Sequence, residues 1–229
     1  MTISLTDAGK RFNREWIFRH LNHDFTSGNS YAIIGPNGSG KSTLLQVLSG
    51  AIQLSEGNIQ FSQQPASSQF DSSRSVSQAT ASKQTLESET FYQYISFCAP
   101  YLEVIEEMTV REFLDFHHGF KPFLPNFSAE KIIEIVGLQN AVNKQIRYYS
   151  SGMKQRVKLA QAIFSNVPII LLDEPCTNLD AEGIELYNKL INDHCKHRLV
   201  LVSSNDPQEY EFCNEQINIL KWKKWLPDR

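Results

Sequence analysis

The sequence predicts an α/β protein built on a parallel sheet covered by helices on both faces. Three observations carry that reading. Short apolar runs in the second half, Ile169–Leu172 and Leu199–Ser203, alternate with segments of helical period. An earlier apolar run, Tyr31–Ile34, leads straight into a glycine-rich loop and then a helix. The run Ile169–Leu172 ends in Asp173 and Glu174, which delivers two carboxylates to the edge where open α/β sheets bind ligands.

Each element follows in order. Ile3 and Leu5 alternate with polar neighbours, and Ile17, Leu21 and Phe25 do so more loosely, so the first 60 residues read as strands with turns. Ser27, Gly28 and Asn29 mark a turn before the buried strand Tyr31–Ile34. Thr43, Leu44, Leu45, Val47 and Leu48 have helical spacing, with Gly50 placed to end that helix, and Gly57–Phe61 reads as another strand. Residues 62–90 are dominated by Ser, Gln and Thr with few apolar side chains, so a flexible loop or insertion is expected. Ile95–Cys98 resumes as a strand. Helices are expected over Val110–Phe120, Ala129–Val136 and Lys154–Phe164. After the strand Ile169–Leu172 come a helix Ala181–His197, the strand Leu199–Ser203, a short helix Pro207–Phe212 and a final strand Ile217–Leu220.

Composition narrows the class. At 229 residues with 41% hydrophobic content, the chain has enough to bury for a sizeable core. A net charge of -3 lacks the basic excess of a nucleic-acid binder, so no nucleic-acid partner is expected. No apolar run approaches the roughly 20 residues that span a bilayer, and the opening MTISLTDAGKRF shows no leader-like apolar stretch. Cys98, Cys176, Cys195 and Cys213 have no CxxC spacing, which argues against a zinc site or disulfide framework and fits a reducing cytoplasm.

Gly35-Pro36-Asn37-Gly38-Ser39-Gly40-Lys41-Ser42-Thr43 matches G-x-x-x-x-G-K-[ST] in full, in the strand–loop–helix context that confirms a phosphate-binding loop. The glycines let backbone N–H groups curl around an anion, and the helix N-terminus adds its positive dipole end. Lys41 supplies charge to the β- and γ-phosphates, and the Ser42 hydroxyl is a Mg²⁺ ligand. Asp173, 132 residues after Lys41, is expected to hold the same Mg²⁺; Glu174 is expected to polarise the water attacking the γ-phosphate.

The segment YSSGMKQRVKLAQAI, Tyr149–Ile163, resembles the LSGGQ signature of the ATP-binding subunits of ATP-binding cassette (ABC) transporters. Ser150, Ser151 and Gly152 take the S-G-G positions, Tyr149 and Met153 the flanking ones, and CTNLD, Cys176–Asp180, resembles the family's D-loop. The resemblance covers essentially the whole chain. It implies a phosphate-loop NTPase (RecA-like) core in one domain over residues 1–229, with an N-terminal antiparallel β-subdomain and a helical subdomain over about residues 101–165. It implies an ATPase working as a head-to-tail homodimer or heterodimer with two sandwiched ATP molecules. Ser150, Ser151 and Gly152 would bind the γ-phosphate in trans. Phe12 would stack on adenine, with Trp16 as its rival. Separate membrane-spanning subunits would be the partners, and the chain would lie in the cytoplasm on the inner face of the membrane. The YSSGM and PNGSGKS forms look more like exporter-type than importer-type subunits.

The sequence departs from the family at two places. The usual glutamine after the strand Ile95–Cys98 falls on Ala99, Pro100 or Tyr101, with Glu103 as a stand-in acceptor. The usual histidine after the last core strand is Asn205, expected near the γ-phosphate as a neutral donor. These departures leave a second reading open, a slow-turnover ATP-switched dimerising module. A soluble cassette acting on nucleic acid is a third, disfavoured by length and charge. Glu103, Glu106 and Glu107 would line a groove facing the membrane partner or be an ordinary solvated loop, and KWKKWLPDR at the end would face a membrane or pack on the domain edge.

Overall fold

The computed structural model describes residues 1–63, 84–86 and 90–223. The N-terminal strands form an antiparallel sheet in the order β2-β1-β4-β5, from β1 (Thr2–Phe12), β2 (Glu15–Thr26), β4 (Glu56–Gln63) and β5 (Gln84–Thr85). A two-residue turn joins β1 to β2 between partners Phe12 and Glu15, and Asn13 adopts the left-handed backbone (φ 53°) that such turns require. The second sheet is fully parallel, in the order β6-β7-β8-β3-β9. Its strands are β3 (Ser30–Ile34), β6 (Ile95–Cys98), β7 (Ile169–Asp173), β8 (Leu199–Ser203) and β9 (Glu215–Asn218).

Every residue of β7 and β8 is buried, and the pleat sends alternate side chains to two separate cores. Ile169, Leu171, Leu199 and Leu201 join the antiparallel sheet and helix α1 (Lys41–Leu48). Ile170, Leu172, Val200 and Val202 meet α2 (Val110–Phe120), α3 (Ala129–Ile135), α4 (Ser151–Phe164) and α5 (Ala181–His194). Burial on both faces is why these strands read as unbroken apolar runs instead of alternating ones. The expected strand β8 lies between the phosphate-loop strand β3 and the carboxylate strand β7.

Several boundaries differ from expectation. The helix expected to His197 stops at His194, and Arg198 N–H donates to Cys195 C=O to turn the chain into β8. Instead of a helix over Pro207–Phe212 there is one 3-10 turn, Pro207–Glu209, capped by the Asp206 carboxylate on Gln208 N–H at 3.0 Å. The final strand runs over Glu215–Asn218, because the Asn218 side chain accepts from Leu220 N–H (3.0 Å) and starts a 3-10 turn at Ile219–Trp222. In the segment 62–90 expected to be a loop, Ser62 and Gln63 belong to β4 and pair with Thr85 and Gln84. Residues 64–83 and 87–89, and the end of KWKKWLPDR, lie outside the described residues. Two of the three acids expected along a groove are paired: Glu106 with Lys154 at 2.5 Å and Glu107 with Arg147 at 3.2 Å. All four cysteines are free thiols.

A neutral histidine ties α2 to α4. Gln161 donates to His117 Nδ1 (3.2 Å), which leaves Nε2–H to donate to Ser165 Oγ (2.8 Å), and Ser165 Oγ donates in turn to Gln161 C=O at 2.6 Å. Burial, reinforced by the nearby charges of Lys121 and His118, lowers the His117 pKa to about 4. An unfolded histidine titrates near 6.5, so the unfolded chain binds more protons between those values. The stability contributed by neutral His117 is therefore fully present above pH 6.5 and is lost as pH falls toward 4. In thermal melts, the parent should exceed His117→Gln in midpoint at pH 7, and the gap should narrow steadily between pH 6.5 and 4. A gap that does not change with pH would place the protonation elsewhere.

Candidate active site

β3 ends at Ile34 and the phosphate loop turns the chain into α1 within six residues. Two glycines are required by contact. At Gly40 (φ 103°) a Cβ would collide with the Ile17 side chain of β2, and at Gly35 (φ 154°) it would lie 2.8 Å from Ser39 Oγ. The Lys41 side chain is 5% exposed, and its ammonium donates to the Gly35 carbonyl (2.9 Å) and the Pro36 carbonyl (3.4 Å), so it sits over the hollow of the loop. α1 starts with no side-chain cap and no acid in its first turn. Its first N–H groups are thus free of the usual protein acceptors, as an anion-binding helix end needs. Ser39 Oγ is buried with no partner among the described residues.

The strand register assembles the rest. Asp173 of β7 pairs with Ser203 of β8, and Ser203 pairs with Ile33 of β3, so the residues that follow all emerge at the edge where the phosphate loop begins. Asp173 is 2% exposed and its Oδ1 has no partner among the described residues. Leaving a buried carboxylate oxygen unpaired costs about 1–3 kcal/mol or more, so this oxygen awaits a cation or donor. Among the described residues no group of three or more His, Cys, Asp or Glu side chains is placed to hold a metal ion by itself. The Asp173 carboxylate, with its unpaired Oδ1, and the Ser42 hydroxyl are hard oxygen donors, the chemistry that suits Mg²⁺. Glu174 stands in the left-handed region (φ 43°), which for a residue with a Cβ costs about 1–3 kcal/mol; its N–H donates to Ser203 C=O at 2.8 Å. Asn205 Nδ2 donates to Asn37 Oδ1 of the phosphate loop at 2.6 Å. Asn37, Glu174 and Asn205 line one open cavity of about 360 Å³.

Ser150, Ser151 and Gly152 line a different cavity of about 370 Å³, together with Asn178, Leu179 and Asp180. Ser150 caps α4 by accepting from Met153 N–H (3.2 Å), and no acid lies in that helix's first turn. Gly152 is needed because a Cβ there would lie 2.9 Å from Asn178 C=O. Arg156 faces Asp180 and Glu182 at 3.7 and 3.6 Å, which binds α4 to the start of α5.

At the β1–β2 turn the two candidate rings differ. Trp16 is flanked by the guanidinium groups of Arg11 and Arg19, 5.5 and 4.6 Å from its ring. Phe12 is 48% exposed, with Lys10 Nζ at 5.0 Å. Of the three positions lacking glutamine, Tyr101, 48% exposed, is the one whose hydroxyl faces Asp173. Its hydroxyl accepts from Gln46 of α1 (3.2 Å), and its pKa is pushed up to about 12, by burial first and by the facing Asp173 carboxylate as well. A phenol at that position matches no motif, so the sequence alone does not mark Tyr101. Glu103 is exposed. Gln155 and Glu209, both buried, read in the sequence as ordinary polar residues beside a motif, and only their burial sets them apart.

Comparison with known proteins agrees with this geometry. A family model described as "ABC transporter" matches residues 18–177. The bacitracin transport ATP-binding protein BcrA of Bacillus licheniformis is 28% identical over 228 residues, covering 99% of this chain and 69% of that protein. Among solved structures, a putative ABC transporter ATP-binding protein from Pyrococcus furiosus superposes with a TM-score of 0.75 at 20% identity, covering 98% of this chain and 100% of that one. The dimeric ABC transporter cassette MJ0796 gives 0.73 at 22% identity, covering 95% and 94%.

Removing the loop's cation isolates its contribution. Lys41→Ala should weaken ATP binding at least tenfold, about 1.4 kcal/mol, while adenosine binding stays near parental. Calorimetric titration of both ligands checks this, and equal ATP affinity in the two proteins would refute the assignment.

Proposed function

Since the chain belongs to the ABC transporter family, we propose that it is the ATP-binding and ATP-hydrolysing subunit that energises transport through separate membrane-spanning subunits. The observation carrying this reading is the convergence, at one sheet edge, of the Lys41 ammonium, the unpaired Asp173 oxygen and the strained Glu174. Lys41 and the first N–H groups of α1 stabilise negative charge on the β- and γ-phosphates. The Glu174 carboxylate accepts a hydrogen bond, and then the proton, from the attacking water; the water oxygen bonds to the γ-phosphorus as the bond to the β–γ bridging oxygen breaks, giving ADP and inorganic phosphate. Mg²⁺, when held by Ser42 and Asp173, supplies neutralisation of phosphate charge. Phe12, the more exposed ring, is proposed to stack on adenine.

No phosphate-loop residue lines the Ser150 cavity, which supports a head-to-tail dimer, homo- or heteromeric. In that arrangement Ser150, Ser151 and Gly152 of each protomer meet the γ-phosphate bound by the other, as a helix N-terminus meets an anion. No helix among the described residues is long and apolar enough to cross a membrane. The membrane path is proposed to belong to other chains, with this one peripheral on the cytoplasmic face. The YSSGM and PNGSGKS segments support export as the direction of transport.

A second reading has its own support. Asn205 is neutral, and none of Ala99, Pro100 and Tyr101, where the usual glutamine would fall, is a glutamine, which favours slow turnover with ATP acting chiefly as a dimerising switch. Steady-state phosphate release decides between the two. Glu174→Gln should bind ATP, fail to cleave it and persist as a dimer in ATP and Mg²⁺ on size exclusion; cleavage at the parental rate would move the base elsewhere. Asn205→Ala should slow turnover roughly tenfold, a loss of about 1.4 kcal/mol of transition-state stabilisation. Turnover equal to the parent would remove Asn205 from the reacting phosphate. Asn205→His should bring a pH-dependent limb to the rate near the ordinary histidine range, about 6.5, which the parent lacks.

A further inference from the structure

Glu174 is held in a conformation that a free chain avoids, so its neighbours must hold it. Glu174 N–H donates to Ser203 C=O (2.8 Å) and its own carbonyl accepts from Thr177 N–H (3.1 Å); the side-chain restraint falls on the next peptide group, the unit joining Pro175 to Cys176. The carbonyl of that unit accepts from Gln155 Nε2 at 2.7 Å, and its N–H donates to Glu209 Oε1 at 2.7 Å. Gln155 is 2% exposed and Glu209 5% exposed. They come from different elements. Gln155 lies on α4, five residues after the Ser150 cap, and Glu209 closes the 3-10 turn four residues after Asn205. Tyr187 Oη of α5 donates to Glu209 C=O at 2.8 Å and fixes that turn. Glu209 is a costly residue to bury: its Oε2 has no partner among the described residues, and burial raises its pKa. Against that cost its carboxylate is held by the Ser204 side chain and by the Cys176 N–H beside Glu174, and hydrogen bonds to charged groups are the strong ones.

We infer that Gln155 and Glu209 are positioning residues that clamp the Pro175–Cys176 peptide from opposite sides and thereby aim the Glu174 carboxylate. The clamp joins three pieces that touch the nucleotide in different ways: the helix that Ser150 caps, the backbone carrying Glu174, and the loop carrying Asn205. A shift of α4 or of the Asn205 loop is then transmitted to Glu174 through a single peptide unit. The inference rests on the ATPase reading, with Glu174 as the water-polarising carboxylate.

The test uses the full chain with Gln155→Met, which keeps length and loses the donor; Glu209→Leu, which loses the acceptor; and Glu209→Gln, which keeps an acceptor oxygen. Phosphate release is measured across ATP concentrations, ATP binding by titration, and exchange of the Cys176 amide hydrogen without nucleotide. Gln155→Met and Glu209→Leu should each lower kcat about tenfold or more with KM within about threefold of parent, the signature of a lost transition-state contribution. Glu209→Gln should recover kcat to within about threefold of parent, and the double variant should lose less than the product of the two single losses, because both act through one peptide. The Cys176 amide should exchange faster in Glu209→Leu. The inference is overturned if kcat stays within about twofold of parent in both single variants, if Glu209→Gln falls as far as Glu209→Leu, or if ATP affinity falls in step with kcat. Should Glu209→Leu not fold, Gln155→Met and Glu209→Gln carry the same comparison. Glu174→Gln run alongside separates the two failures: parental cleavage there refutes the base, whereas amide exchange at Cys176 reports on the clamp without any hydrolysis.

Discussion

The parallel register of β3, β8 and β7 is the constraint on which everything else depends. Because Ile33, Ser203 and Asp173 lie side by side, the chain leaves the sheet at one edge three times, as the phosphate loop, the Asn205 loop and the Glu174 turn. Both faces of the central strands β7 and β8 are covered by apolar side chains, so the charged residues that follow them are presented at this edge. A one-residue slip of β7 would exchange the two sets of core side chains, Ile169 and Leu171 for Ile170 and Leu172, and would withdraw Asp173 from the edge. Packing thus enforces the alignment that the chemistry requires.

The site carries local costs that the rest of the fold supports. Glu174 has a strained backbone, Asp173 a buried unpaired oxygen, and Glu209 a buried carboxylate. Such departures from the least-cost arrangement gather where function demands them and persist because the surroundings over-determine them. Here the surroundings are α4 and the loop after β8. Lys158 Nζ donates to Pro100 C=O at 2.8 Å, so the same helix that grips the turn after β7 also grips the loop after β6 that carries Tyr101. α4 is therefore the element most widely connected to the edge: through Gln155, through Lys158, and through Arg156 to the start of α5.

The helical layer and the antiparallel sheet have separate tasks. The antiparallel sheet brings Ile17 against Gly40 and presents Phe12 and Trp16 at its turn, so it shapes the outer wall of the nucleotide end. The helical layer presents Ser150 at a capped N-terminus, in a cavity that no phosphate-loop residue lines.

The sequence by itself determined the local devices. GPNGSGKST, the apolar run ending in Asp173-Glu174, and the YSSGM segment are contiguous, and each owes its chemistry to neighbours in the chain: glycines that permit a turn, a helix start that gathers N–H groups, a buried strand that must end in water. The strands of the parallel sheet were legible for the same reason, since burial on both faces leaves an unbroken apolar run. Less was legible at element ends, because the stops at His194 and Asn218 are set by single hydrogen bonds that periodicity does not register. Only the tertiary structure decided that Tyr101, not Glu103, faces Asp173, that Asn205 reaches Asn37, and that Gln155 and Glu209 hold the two sides of one peptide. Those partners lie 20 to 168 residues apart in the chain, apart from the neighbouring alternatives at 101 and 103. Hydrogen bonding is short-ranged and directional, so whether such groups meet depends on how the sheet and helices pack, which no local pattern records.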